Sequence, residues 1–111
     1  MDQKPFRWVG SALEDLRAFP AEARQEAGHQ LHRVQMGLMP DDWKPMRSVG
    51  PGVCEIRIRS GQEHRVFYVA RFAEAVYVLH AFEKKTQRTR QADINRGKER
   101  LAEVVRARQG Q

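Results

Sequence analysis

Arg57 and Arg59 stand two residues apart in the run Val53-Cys54-Glu55-Ile56-Arg57-Ile58-Arg59, and Arg65 follows after Ser60-Gly61-Gln62-Glu63. Further on, Lys84-Lys85-Thr86-Gln87-Arg88 adds three cations and two hydrogen-bonding side chains. Strand alternation puts Arg57 and Arg59 on one face, and a hairpin brings Arg65 within side-chain reach of them. Like charges held together cost stability unless an anion lies between them, so the set suits a phosphate. The same arginines would be equally at home splayed into solvent or paired with Glu55, Glu63 and Glu83.

Other chemistries find less support. His29 and His32 are three apart on a helical stretch, but no third ligand accompanies them, and zinc normally takes at least three from the protein. Cys54, the single cysteine, falls on the apolar side of its strand with Ile56 and Ile58 and reads as a core residue. Ser11, Ser48 and Ser60 sit in cap or turn contexts without a glycine-framed nucleophile elbow. Gly50-Pro51-Gly52 lacks the lysine of a phosphate-binding loop. The expectation is a site with no metal and no cofactor.

The elements that must carry these residues follow from the pattern. Pro5 to Val9 reads as a short strand. Ser11 fits a helix N-cap with Glu14 as its capping-box partner, and Leu13, Leu16 and Phe19 follow at helical spacing. After Pro20, the stripe Ala23, Ala27, Leu31, Val34 and Leu38 marks an amphipathic helix that Gly37 ends. Pro40 to Gly52 is loop with one short strand near Lys44 to Val49. Strands follow at Val53–Arg59 and His64–Phe72, and then at Val76–Phe82, which is nearly all apolar and reads as central. Thr89 to Arg108 is a basic helix with a thin seam of Ile94, Leu101 and Val104, which Gly97 weakens. The expected fold class is α+β in one domain spanning 1–111. It is a twisted antiparallel sheet of about four strands, with the two N-terminal helices on one face, the basic C-terminal helix after it, and the second face left polar for a site.

Charge is unevenly placed. The chain has 111 residues and a net charge of +6, and Lys84 to Arg108 alone carries nine cations against three carboxylates. That quarter attracts polyanions or is a solvated helix face. No apolar run approaches the roughly 20 residues of a membrane span, and the N-terminus lacks a signal-like apolar core. With one cysteine, the expected compartment is the cytoplasm, with no membrane partner.

Three runs together resemble a known family: Gly50 to Arg59, then His64-Arg65-Val66-Phe67-Tyr68-Val69, then Val78-Leu79-His80-Ala81-Phe82-Glu83-Lys84-Lys85-Thr86-Gln87. With Trp8-Val9-Gly10-Ser11, Phe19-Pro20 and Trp43-Lys44-Pro45-Met46, they are similar to the phage-derived HigB-like branch of the RelE/ParE toxin superfamily, from about Phe6 to Arg100. The resemblance implies a RelE-like fold with a concave basic face, and the toxin of a type II toxin–antitoxin pair. Its activity would be metal-independent mRNA cleavage at the ribosome. Its partners would be ribosome, mRNA and a cognate antitoxin with a helix-turn-helix. It implies catalytic work for Arg65 on the phosphate, with Arg57 assisting, and for Lys84 and Lys85 in transition-state stabilisation or proton transfer. RNA contact would fall to Arg59, His80, Thr86, Gln87 and Arg88. Many RelE-like nucleases carry a C-terminal tyrosine, and nothing aromatic follows Phe82 here. His80 and Tyr68 are the substitutes on offer, although Tyr68 and Phe82 read first as sheet core. The alternatives are a ParE-like gyrase inhibitor on the same fold, or an inactive phage remnant.

Overall fold

The computed structural model describes residues 3–110. Its elements are β1 (Phe6–Trp8), α1 (Ala12–Arg17), α2 (Ala21–Gln35), β2 (Trp43–Pro45), β3 (Val53–Ile58), β4 (His64–Val69), β5 (Val76–Glu83) and α3 (Gln91–Gln109). The α+β class and the hairpin positions agree with the sequence reading. The sheet has five strands in the order β1-β5-β4-β3-β2, and it is mixed, because β1 runs parallel to β5. The antiparallel expectation came from short turns. The α1–α2 hairpin and β2 to β4 lie between β1 and β5 in sequence, so no short turn governs that pairing. β4 rather than β5 is the middle strand.

The first face buries the apolar stripe of the N-terminal helices. Leu16, Ala23, Ala27, Leu31 and Val34 pack on Ile56, Ile58, Val66, Tyr68, Val76 and Val78. Gly37 ends α2 as expected, in a left-handed conformation at φ 85°. Ser11 does precede α1, but the capping box does not form. Its hydroxyl donates to Asp15 at 2.7 Å and accepts from Arg100 at 2.8 Å.

The second face is not left open. α3 crosses it and closes a second core of Val49, Phe67, Val69, Leu79, Leu101 and Val104, among others. The seam on α3 reads as thin because Gly97 is part of it. A Cβ on Gly97 would lie 2.8 Å from Val49 and 3.0 Å from the Phe67 ring. The glycine thus lets the helix lie close to the sheet. Gly97→Ala gains about 1 kcal/mol of helix propensity. It meets an overpacking cost of about 1–3 kcal/mol. The expected net effect is destabilisation of about 1 kcal/mol, read as a lower midpoint in a urea melt.

A β-bulge lets β5 serve this face along its whole length. Phe67 pairs with His80 and Tyr68 with Val78, which leaves Leu79 as the extra residue. Tyr77 and Leu79 before the irregularity, and His80 and Phe82 after it, therefore all reach the α3 side. Among the described residues no helix is long and apolar enough to cross a membrane.

Candidate functional site

At one end of the sheet the β3–β4 hairpin meets the exit of β5, where the Lys84 amide donates to the Glu63 carbonyl at 2.8 Å. On that end, register places Lys44 opposite Glu55 and Arg57 opposite Arg65, with Arg65 in turn opposite Phe82. Cross-strand partners share a face, so one patch holds Lys44, Glu55, Arg57 and Arg65, and Lys84 joins it two residues beyond Phe82. Beside the patch lies an open cleft of about 450 Å³, lined among others by Lys44, Arg47, Ser48, Lys84, Gln87 and Arg88.

Glu55 is the centre of the patch. It is 0% exposed, and neither carboxylate oxygen has a hydrogen-bond partner. Its Oε1 lies 3.6 Å from Arg57 Nε and 3.5 Å from Arg65 Nε. Arg65 is only 2% exposed. Its Nη1 donates to the His64 carbonyl at 3.0 Å, and its Nη2 donates to Glu63 at 3.1 Å. Arg57 is partly exposed, with Nη1 3.9 Å from Asp42. Hydrogen bonding to Arg65 holds the Glu63 carboxyl below the ordinary carboxylate range. Lys84 is pulled below the ordinary lysine range, first by desolvation and then by the Arg65 guanidinium, with Lys44 adding to the effect and Glu55 and Glu63 opposing it.

The structure brings together only some of the residues singled out in the sequence. Arg57, Arg65 and Lys84 meet at the patch, while Gln87 and Arg88 line the cleft. Lys85 and Thr86 are exposed and do not line the cleft; Thr86 donates to the Arg88 carbonyl within its own loop. Arg59 is drawn aside to Asp42 at 3.0 Å. His80 is buried beneath α3. Its Nε2 lies 2.8 Å from Asp93, and its ring stacks on Phe82 at 4.8 Å. Burial pushes the imidazole below its ordinary range against the pull of Asp93. Its contacts tie β5 to α3. Tyr68 is buried in the α1–α2 core, where desolvation and then the neighbouring Cys54 raise its hydroxyl, and Phe82 is buried in the second core.

Sequence reading placed Glu55 on the polar face of its strand as one of three acidic partners, and missed that it is the buried hub. Lys44 and Arg47 were also passed over. Their signal was the short strand expected near Lys44 to Val49; β2 instead spans Trp43–Pro45 and sets Lys44 beside β3, while Arg47 lies in the turn after it. Among the described residues, no group of three or more His, Cys, Asp or Glu side chains gathers as a metal site would require.

Residues 14–102 match the family of phage-derived Gp49-like proteins (DUF891). No curated protein matches the chain. Among solved structures, the fold is similar to that of the Escherichia coli toxin RelE, in the free state of a double arginine-to-alanine mutant. The TM-score is 0.63 at 15% identity, over 93% of this chain and 99% of that one.

Proposed function

The chain belongs to the phage-derived Gp49-like family, and from that footing we propose that it is the toxin of a toxin–antitoxin pair, an endoribonuclease that cuts mRNA on the ribosome. The observation that carries this reading is the convergence of Lys44, Arg57, Arg65 and Lys84 around one buried carboxylate at the mouth of an open cleft. The RelE-like fold supports it.

The chemistry follows from what the residues present. The 2′-hydroxyl of the RNA gives its proton to water as its oxygen attacks the adjacent phosphorus, the bond to the 5′-oxygen breaks, and a 2′,3′-cyclic phosphate and a 5′-hydroxyl remain. Charge builds on the non-bridging oxygens as this happens. Fixed cations aimed at that charge are the largest lever a protein can apply. Arg65, assisted by Arg57, holds the phosphate; in the unliganded protein Glu63 occupies the outer edge of Arg65, and the phosphate takes its place. Lys84, deprotonated more readily than an ordinary lysine, gives its proton to the leaving 5′-oxygen. The open cleft leaves RNA placement to the ribosome, which supplies the orientation. The cognate antitoxin is the protein partner, and an acidic segment laid on the cationic end of the sheet would close the site.

The test is to add purified protein to a bacterial translation extract and map message ends. Cuts within translated codons, dependent on ribosomes, are expected. Intact message with inhibited growth and DNA-damage signalling would sink the reading in favour of a gyrase inhibitor. Lys84 adds a pH signature. As an acid it works when protonated, so cleavage falls as pH rises through its depressed pKa. Lys84→Arg keeps its charge at every accessible pH and cannot give up the proton. The alkaline limb should vanish from its pH–rate profile, at a rate lower by about 10²-fold or more. An unchanged limb in the variant would assign the proton transfer elsewhere.

A further inference from the structure

A carboxylate that is wholly buried and makes no hydrogen bond is a poor device for stability. Removing such a charge from water is costly, and ion pairs at 3.5–3.6 Å return only part of it. An apolar residue at position 55, among Val53, Phe67 and Val69 on the same face, would fill the space more cheaply. What Glu55 does achieve is geometric. It contacts the same edge, Nε, of both Arg57 and Arg65. Other nitrogens of these guanidiniums face carboxylates near the surface, while Arg65 Nη1 donates to the His64 carbonyl at 3.0 Å. Arg65 Nη2 meets Glu63, whose side chain is 45% exposed, and Arg57 Nη1 is nearest Asp42, whose side chain is 42% exposed. The two arginines therefore have one inner anion that solvent cannot reach and separate outer anions that it can.

We infer that Glu55 is a positioning residue. It anchors Nε of Arg57 and Arg65, so that Arg57 Nη1 and Arg65 Nη2 form a paired cradle for one phosphate, with Asp42 and Glu63 as the exchangeable anions that the phosphate displaces. This inference rests on the nuclease reading for its substrate. Arg57 and Arg65 are direct cross-strand partners, and without a shared counter-charge their like charges drive them apart. The inner carboxylate holds them together in the absence of RNA. The cradle is thus set before the substrate arrives, and no reorganisation is needed when charge builds on the phosphorus.

The test uses Glu55→Gln, which keeps the shape and removes the charge, and Glu55→Asp, which keeps the charge on a shorter stem. In the translation extract, Glu55→Gln should lose roughly 100-fold in cleavage, the scale expected for a misplaced group, mostly in the turnover of bound complexes. Glu55→Asp should recover part of the loss. The second readout is independent of cleavage: the Arg57 and Arg65 Nε–Hε cross-peaks in nitrogen-15 NMR of the intact protein, assigned with Arg57→Lys and Arg65→Lys. Both should shift together in Glu55→Gln and return toward wild type in Glu55→Asp. Wild-type cleavage by folded Glu55→Gln, or cross-peaks that stay in place, would overturn the inference. Should Glu55→Gln fail to fold, Glu55→Leu, which fills the space without a charge, decides. Both cross-peaks moving with a reduced rate supports positioning, and neither moving overturns it. If the wild-type protein itself cuts no RNA, the nuclease reading fails and the cross-peaks alone judge Glu55.

Discussion

Arg65→Ala should lower message cleavage by about 10²–10³-fold, the usual consequence of deleting one preorganised charge donor. Arg65 is the innermost cation of the patch. It contacts Glu55, Glu63 and the His64 carbonyl at once, and it is 2% exposed. Alanine therefore also strands Glu55, which keeps only the Arg57 contact at 3.6 Å. Breaking a buried pair in this way costs about 3–5 kcal/mol, so part of the lost activity could come from unfolding. Arg65→Lys separates the two effects. It keeps the charge near Glu55, holds the fold, and loses the planar fork that can bind two phosphate oxygens. The expected pattern is a lysine variant with a near-normal melt and a large loss of cleavage. Full cleavage by a folded Arg65→Lys or Arg65→Ala protein would remove Arg65 from the site.

Phe67→Ala should destabilise the protein by about 3–5 kcal/mol. Small domains have only roughly 5–15 kcal/mol to lose. Phe67 is 0% exposed in the middle strand, and its ring meets Phe82 at 5.1 Å and His80 at 5.9 Å. It also fills the space that Gly97 leaves on α3. The cavity cannot collapse easily, because α3 is held elsewhere. Arg100 donates to the Leu79 carbonyl at 2.9 Å and to Ser11 at 2.8 Å. At the far end Arg108 donates to Glu74 at 2.7 Å and lies over the Phe72 ring at 3.9 Å. A thermal melt should drop by on the order of 12 °C or more. A loss under about 1 kcal/mol in a denaturant melt would mean that α3 does not pack on Phe67 as described.

The two variants probe different layers of one strand face. Arg65, Phe67 and Val69 alternate along β4, and all three point toward α3. Phe67 and Val69 belong to the core that α3 closes and Arg65 does not, so the same face is core at one end and site at the other. Strand alternation alone made all three residues equivalent. The reach of α3 divides them.

Much of this was legible in order of residues. Ser60-Gly61-Gln62-Glu63 between two strand patterns defined the hairpin, and with it the Arg57–Arg65 register pair. The apolar period from Ala23 to Val34 defined α2 and the face it covers. The cations of the C-terminal quarter were visible as composition, although most of them are spread along α3 and only Lys84 and Arg88 reach the cleft. Local pattern could do this because hairpins and amphipathic helices are set by residues a few positions apart.

What the chain order could not supply depends on contacts between distant segments. β1 joins β5 in parallel across some 70 positions, a pairing that no turn chemistry announces. The bulge at Leu79 turns both His80 and Leu79 toward α3, and it arises where β4 and β5 fall out of step. Gly97 looked like a weakness by helix propensity and is a close-packing point against Phe67. Ser11 looked like a cap and serves Arg100 instead. Glu55 is the clearest case. By itself the sequence determined that a carboxylate alternates with two arginines along one strand. Only the tertiary structure decided that it would be sealed from water between two cross-strand guanidiniums. Burial is set by what the rest of the chain lays over a residue, and that is not written in its neighbours.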